Sequence, residues 1–293
     1  MKAEQLLKFY EQGYRDFTGV DLRGADLSGA VLISVDLAGA NLMGANLSKA
    51  FLTKSDLSGA SLNWANLSYA KMSETNLEQA DLTKANLTGA FMVKSHLVKA
   101  KLSGTNLANT NLRASNLFAA NICGARLQKV NLRQANLNEV NFNWANLSEA
   151  RLIGAQLQNV SLTDVNLSQT FLNDVDLNSA DLKGINLSNA KLIQANLSNA
   201  DLSNANLENA RLKAVNLENA NLSNANLTNT DLREASLRQA NLTSANLSNA
   251  DLSNANLESA VLDGTILDKT SLLESIVAAY CPVNYGQYRV QMA

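Results

Sequence analysis

Few side chains in this 293-residue sequence are equipped for covalent or metal chemistry. The single histidine is His96, and the two cysteines, Cys123 and Cys281, stand far apart with no metal or redox spacing. A metal site needs several converging donors, and a nucleophile needs a base that a third group orients. The polar neighbours of His96 are Lys and Asn, which supply neither, so it is expected on the surface in place of an Asn or Asp. Cys123 is expected to face outward and to be inert. Glycine-rich phosphate loops are missing from the sequence. Asn-Leu-Ser recurs and matches a glycosylation acceptor, but as a by-product of repetition. The expectation is therefore a non-enzyme, with no catalytic, cofactor-binding or metal-ligating residue and no small-molecule substrate.

The chemistry that remains is recognition. Phe51, Phe91 and Phe171 stand where the surrounding pattern has Asp or Asn, and Lys71, Lys94, Arg113, Arg133 and Arg151 recur among them. Exposed aromatics interleaved with cations are suited to docking a protein. Trp64 and Trp144 are a second candidate pair, 80 residues apart. Whether any of these share a surface depends on the chain path that carries them.

That path is written in a period of five. From Phe17 to Leu272 every fifth residue is apolar, nearly always Leu, and in the column two residues before, from Val20 to Thr270, stands only Ala, Val, Ser, Thr or Ile. On a helix a step of five rotates by about 500°, so successive leucines would spiral around the axis instead of forming a stripe. On a flat strand an odd step sends alternate leucines to opposite faces. What remains is a backbone that turns a corner every five residues, with Leu and its small partner pointing at a common axis. Four right-angled corners close a coil of twenty residues. The twenty-residue spacings of Met72 with Met92 and of Ile122 with Phe142 agree with that number. About thirteen coils follow, a rod about 60 Å long at the roughly 4.8 Å spacing of paired strands. Its interior is expected to be filled and to have no room for a ligand.

The tandem pattern in "ADLSGA", "ANLSKA" and "ADLSNANLENA" resembles the pentapeptide repeat family over Phe17 to Leu272. The resemblance implies an all-β solenoid, a right-handed quadrilateral β-helix, and a family abundant in cyanobacteria. Some of its members resemble duplex DNA in shape and charge and act on DNA gyrase. The organisation expected is a helical cap at 1–16, a repeat body at 17–272 and a helical cap and tail at 273–293. Leu6, Leu7, Tyr10 and Tyr14 have helical spacing at one end, and Leu272, Leu273, Ile276, Val277 and Tyr280 repeat it before Pro282 at the other. Such caps cover open sheet ends, and pairing of two copies through a terminal cap is an alternative use of them.

Grouping outward residues by twenty separates four walls. One is a column of Asn from Asn46 to Asn246, broken by Arg126, where stacked amides are expected to hydrogen-bond along the axis. A second carries Asp36, Asp56, Glu78, Glu139, Asp176, Glu218 and Glu258 against Lys99 and Arg238. Matching duplex DNA over such a rod needs on the order of 35 charges, at one per roughly 1.7 Å, so a DNA mimic acting on gyrase is the alternative and not the first choice. A third wall carries the three Phe and the basic residues, and the last carries the two Trp. The net charge of -2 does not call for nucleic acid as a partner, and direct binding of it is not expected. No run approaches the length of a membrane span, and the opening "MKAEQLLKFYEQG" has no continuous apolar core of a secretory signal. A cytoplasmic protein with an unidentified protein partner is the expected whole.

Overall fold

In the computed structural model, residues 1–275 are described. The chain divides into two compact units, Met1–Arg151 with Ala155–Ser161 and Leu152–Gly154 with Leu162–Ala293. Both are built from the same corner.

Each pentapeptide closes a turn. In the first, Val20 N–H donates to the Phe17 carbonyl at 3.2 Å, and in the next Ala25 donates to Leu22 at 3.0 Å. The third residue of the turn has positive φ at every step from Gly19 to Glu274, which with the i to i+3 bond is the signature of a type II turn. Glycine fills that place often in the early coils, and Asn in the later ones, as at Asn199, Asn204 and Asn209. Both tolerate the left-handed region better than other residues.

Corners stack into coils of twenty. Within the first unit parallel bridges join each outward residue to the one twenty further on, from Asp16↔Asp36 to Asn141↔Ser161; within the second they run from Asn166↔Asn186 to Asp251↔Ser271. The bridges are single residues, because a chain that bends every five has room for no longer strand. Inter-coil bonds alternate in direction: Phe17 N–H donates to Asp36 O at 2.8 Å, and Asp36 N–H donates back to Arg15 O at 2.8 Å. The central Leu is buried through most of both units, and the small residue two before it is buried at most steps, the exceptions including Val20, Ala25, Ala30, Val160 and Ala180. At the end of the second unit Leu262, Leu267 and Leu272 become half-buried, where no bridge above Ser271 is recorded among the described residues.

Asp or Asn precedes most of the repeat leucines for a local reason. Its side-chain oxygen accepts the N–H two residues on, as Asn46 Oδ1 does from Ser48 at 3.2 Å and Asp56 Oδ1 from Ser58 at 2.8 Å. The corner N–H would otherwise have no protein partner.

The N-terminal segment forms α1, Ala3–Glu11. Leu6 is buried, the terminal ammonium donates to Asp21 O at 2.8 Å, and Tyr10 Oη donates to Ile33 O at 2.9 Å, so α1 lies against the first coils. Tyr14 departs from the expected stripe: the helix has ended, Gly13 at φ +97° has turned the chain, and Tyr14 is exposed, edge to face with Phe9 at 5.6 Å between ring centroids. At the other end the pentapeptide pattern passes 272, since Ser275 N–H still closes a turn on Leu272 O at 3.1 Å. The expected helix through Ile276, Val277 and Tyr280, and the tail beyond it, lie outside the described residues. Among the described residues no helix is long and apolar enough to cross a membrane.

Candidate protein-binding face

The first unit stacks Val31, Phe51, Lys71, Phe91, Asn111, Asn131 and Arg151 in one bridged column, called here the Phe face. Ile33, Lys54, Val93, Lys94, Arg113 and Arg133 come from the turns of the same corners. The expected grouping of Phe51, Phe91, Lys71, Lys94, Arg113, Arg133 and Arg151 is thus brought together in this unit. Phe51 and Phe91 are each 42% exposed. Phe171 heads the corresponding column of the second unit and is half-buried, so it is less exposed than expected, with Lys191 Nζ 4.5 Å from its ring centroid.

The departures from Asp and Asn at Phe51, Lys71 and Phe91 have an energetic cost. None of the three can accept a hydrogen bond through its side chain, so Thr53, Ser73 and Val93 lose the corner acceptor, a bond worth about 0.5–1.5 kcal/mol. Three successive coils forgo it. Partial compensation comes from Lys71, whose Nζ lies 3.6 Å from the Phe91 centroid.

Beneath these coils the core is also unusual. Met72 and Met92 replace Leu, and Ser55, Thr75, Ser95 and Ser115 replace Ala in one buried column. Their hydroxyls donate to Leu32, Leu52, Met72 and Met92 carbonyls at 2.8, 2.8, 2.7 and 2.7 Å. Each accepting carbonyl belongs to a corner of the Phe face in the coil before, so the hydroxyls tie successive corners together.

Charge divides between the units. On the Phe face of the first, Lys54, Lys71, Lys94, Arg113, Arg133 and Arg151 oppose the single carboxylate Glu74. At the corresponding places of the second, Lys191, Arg211, Lys213 and Arg233 oppose Asp174, Asp231, Glu234, Asp251 and Glu274. There Lys213 pairs with Glu234 at 3.0 Å, and Arg233 with Asp231 at 2.7 Å and Asp251 at 3.7 Å. The Arg233 side-chain bond is the main reason that the Asp231 carboxyl lies below its usual range.

Trp64 and Trp144 share another face of the first unit, four coils or about 19 Å apart. Both occupy the left-handed turn position, at φ 58° and 60°, and are 58% and 61% exposed. Lys84 Nζ lies 5.9 Å from the Trp64 ring. The sequence reasoning passed over Tyr69, exposed at the same turn position, whose ring lies over Gly89 one coil on. A bulky residue followed by Gly after twenty was the available signal.

The Asn column forms the expected ladder within each unit. Asn66 Nδ2 donates to Asn46 Oδ1 at 3.3 Å and Asn86 to Asn66 at 3.3 Å; in the second unit Asn186 donates to Asn166 and Asn226 to Asn206, each at 3.3 Å. Donation always runs toward the N-terminal coil. Asp can only accept, and it stands at the start of such runs, as Asp26 does beneath Asn46 at 3.0 Å and Asp176 beneath Asn196 at 2.9 Å. His96 is exposed in a bridged column between Asn76 and Asn116, and Cys123 is a free, half-buried thiol. Among the described residues no three of His, Cys, Asp and Glu group to hold a metal ion.

Comparison with known proteins bears on this architecture. A family model described as pentapeptide repeats (8 copies) matches residues 16–48, 60–97, 95–134, 115–152, 125–164, 155–192, 180–219, 210–249, 220–258 and 240–275. No curated protein sequence matches the chain. Among solved structures the chain is similar to HetL, a pentapeptide repeat protein involved in heterocyst differentiation regulation from the cyanobacterium Nostoc sp. strain PCC 7120. The identity is 29%, over 94% of this chain and 97% of that one, with a TM-score of 0.33. Similarity to Rfr23, a pentapeptide repeat protein from the cyanobacterium Cyanothece 51142, is 30% identity over 52% of this chain and 90% of that one, TM-score 0.13. QnrB1, a plasmid-mediated fluoroquinolone resistance protein, is 15% identical over 70% of this chain and 88% of that one, TM-score 0.29.

Proposed function

The chain belongs to the pentapeptide repeat family, and from that premise we propose that it is a non-enzymatic scaffold whose Phe face docks another protein. The observation that carries the proposal is the run Phe51, Lys71, Phe91, in which successive coils give up a corner hydrogen bond and expose two aromatic rings. A fold that selects Asp or Asn at this place for a local energetic reason retains something else there when contact with a partner offsets the loss. The mechanism is recognition by a preorganised surface: corners held by backbone ladders and buried hydroxyls need little ordering on binding. The compartment proposed is the cytoplasm.

The test is affinity capture from the native host with the wild-type chain and with a Phe51→Asn, Phe91→Asn, Phe171→Asn variant. A specific partner that the variant loses without a fall in melting temperature supports the proposal. Equal capture by both proteins overturns it.

A duplex mimic acting on DNA gyrase is the weaker alternative. Carboxylates of the acidic wall are sparse, and in the second unit Arg238 lies 4.0 Å from Glu218 and 3.3 Å from Glu258, partly neutralising both. In a gyrase supercoiling assay the protein is expected neither to inhibit nor to protect.

A further inference from the structure

We propose that the Phe face of the first unit takes an acidic segment of its protein partner, carboxylates against Arg113 and Arg133 and apolar side chains against Val31, Ile33 and Phe51. The inference rests on the scaffold proposal and adds to it the chemistry of the partner.

Polarity changes along the face. Val31, Ile33 and Phe51, in the N-terminal coils, are 52%, 41% and 42% exposed. Lys71 on Phe91 follows, with the ammonium and the ring sharing one place. Arg113 and Arg133 come next, in adjacent coils. A complementary ligand is therefore apolar at one end and anionic at the other.

The two arginines define the anionic end. Adjacent coils set them about 4.8 Å apart along the axis, a spacing at which like charges repel unless an anion lies between them. Arg113 turns to a neutral acceptor, Gln134 Oε1, at 3.4 Å from Nε and 3.3 Å from one terminal nitrogen. Arg133 Nε is buried and has no hydrogen-bond partner. A carboxylate is the planar acceptor that guanidinium donors match in geometry and charge. The corresponding arginine of the second unit, Arg233, already holds two carboxylates of its own chain, which shows what this place on the corner accepts.

An acidic protein segment fits this face better than a nucleic acid does. Aliphatic Val31 and Ile33 offer a phosphate backbone nothing, while Leu, Ile or Phe side chains can bury against them. The chain as a whole carries a net charge of -2, which does not favour a polyanionic backbone.

The experiment is fluorescence anisotropy of the full chain with a labelled synthetic peptide of three apolar residues followed by six glutamates. Saturable binding that weakens as salt is raised is expected. Arg113→Glu with Arg133→Glu should weaken it at least about tenfold, and Phe51→Asn several-fold, with no fall in melting temperature. The milder pair Arg113→Gln with Arg133→Gln, expected to lose binding in the same direction, serves if charge reversal impairs folding. Lys101→Glu, the same charge reversal as either single arginine change but on the Trp face of the same unit, should alter binding by less than about twofold. Lack of saturable binding, equal binding by both arginine pairs, or displacement of the peptide by single-stranded oligothymidylate at lower concentration overturns the inference. Should phenylalanine-dependent capture from lysate persist while the peptide fails to bind, the scaffold proposal stands and the acidic partner falls.

Discussion

Lys71 holds its ammonium 3.6 Å from the centroid of Phe91 in the following coil, so two residues that break the Asp and Asn column interlock with each other. A cation over an exposed ring contributes about 0.5–1 kcal/mol, comparable with the single corner bond that either residue forgoes. The contact thus offsets about one of the two corner bonds that Lys71 and Phe91 forgo, and nothing of this kind offsets the loss at Phe51.

Phe51→Asn is accordingly expected to stabilise the chain. The new amide oxygen can accept from Thr53 N–H, raising the unfolding free energy by about 0.5–1 kcal/mol. Urea denaturation checks this, and a loss of more than about 1 kcal/mol would mean that Phe51 is retained for packing and not for contact with a partner.

The Asn ladder separates donors from acceptors. Asn66 donates to Asn46 and accepts from Asn86 and Ser68. Asn66→Ala removes all three bonds and should cost about 2–3 kcal/mol, while Asn66→Asp keeps the two acceptor bonds and should cost about 1 kcal/mol. Equal losses in urea melts of the two variants would show that the stacked amides contribute little.

Gly89 has φ +66°, and a Cβ there would meet Tyr69 Cε1 at 2.6 Å. Gly89→Ala should destabilise by about 1–2 kcal/mol through backbone strain and displacement of the ring. Adding Tyr69→Ala should recover the steric part, so that the double variant is more stable than the sum of the single effects predicts.

Acid should unfold the chain through its corner carboxylates. Asp26 is lowered chiefly by the Ser28 backbone N–H, and Asp21, chiefly through its bond to the Arg23 side chain, is lowered to about 2. Since these groups are more acidic folded than unfolded, the unfolded chain binds more protons between the two values. Their stabilisation is complete above the ordinary carboxylate value near pH 4 and is lost as pH falls through the folded values. Melting temperature should stay level from about pH 5 to 7 and drop between about pH 4 and 2; an early drop near pH 6 would contradict this.

Much of the corner was legible in advance because its determinants are local. Leu and Ala alternate with polar residues at a step that neither helix nor strand accepts, and the stacks of Met72 on Met92 and of Asn66 on Asn46 follow from twenty residues per coil. The reason for Asp and Asn before Leu was not legible: it lies in a hydrogen bond from the side-chain oxygen to the N–H two residues on. Nor was the strain at Trp64 and Trp144, since period counting assigns a face but no φ.

By itself, then, the amino-acid sequence determined the five-residue corner, the inside and outside of each coil and the residues that break the pattern. These depend on steric and hydrogen-bonding preferences within about five residues. Only the tertiary structure decided that Lys71 lies over Phe91, that Phe171 is half-buried beside Lys191, and that cations outnumber carboxylates on the Phe face of the first unit while Arg233 and Lys213 of the second are paired with carboxylates of their own chain. Those outcomes depend on which side chains reach across from one coil to the next. Ion pairs and cation–ring contacts form only where side chains meet, so they are fixed by side-chain placement between coils and not by order along the chain.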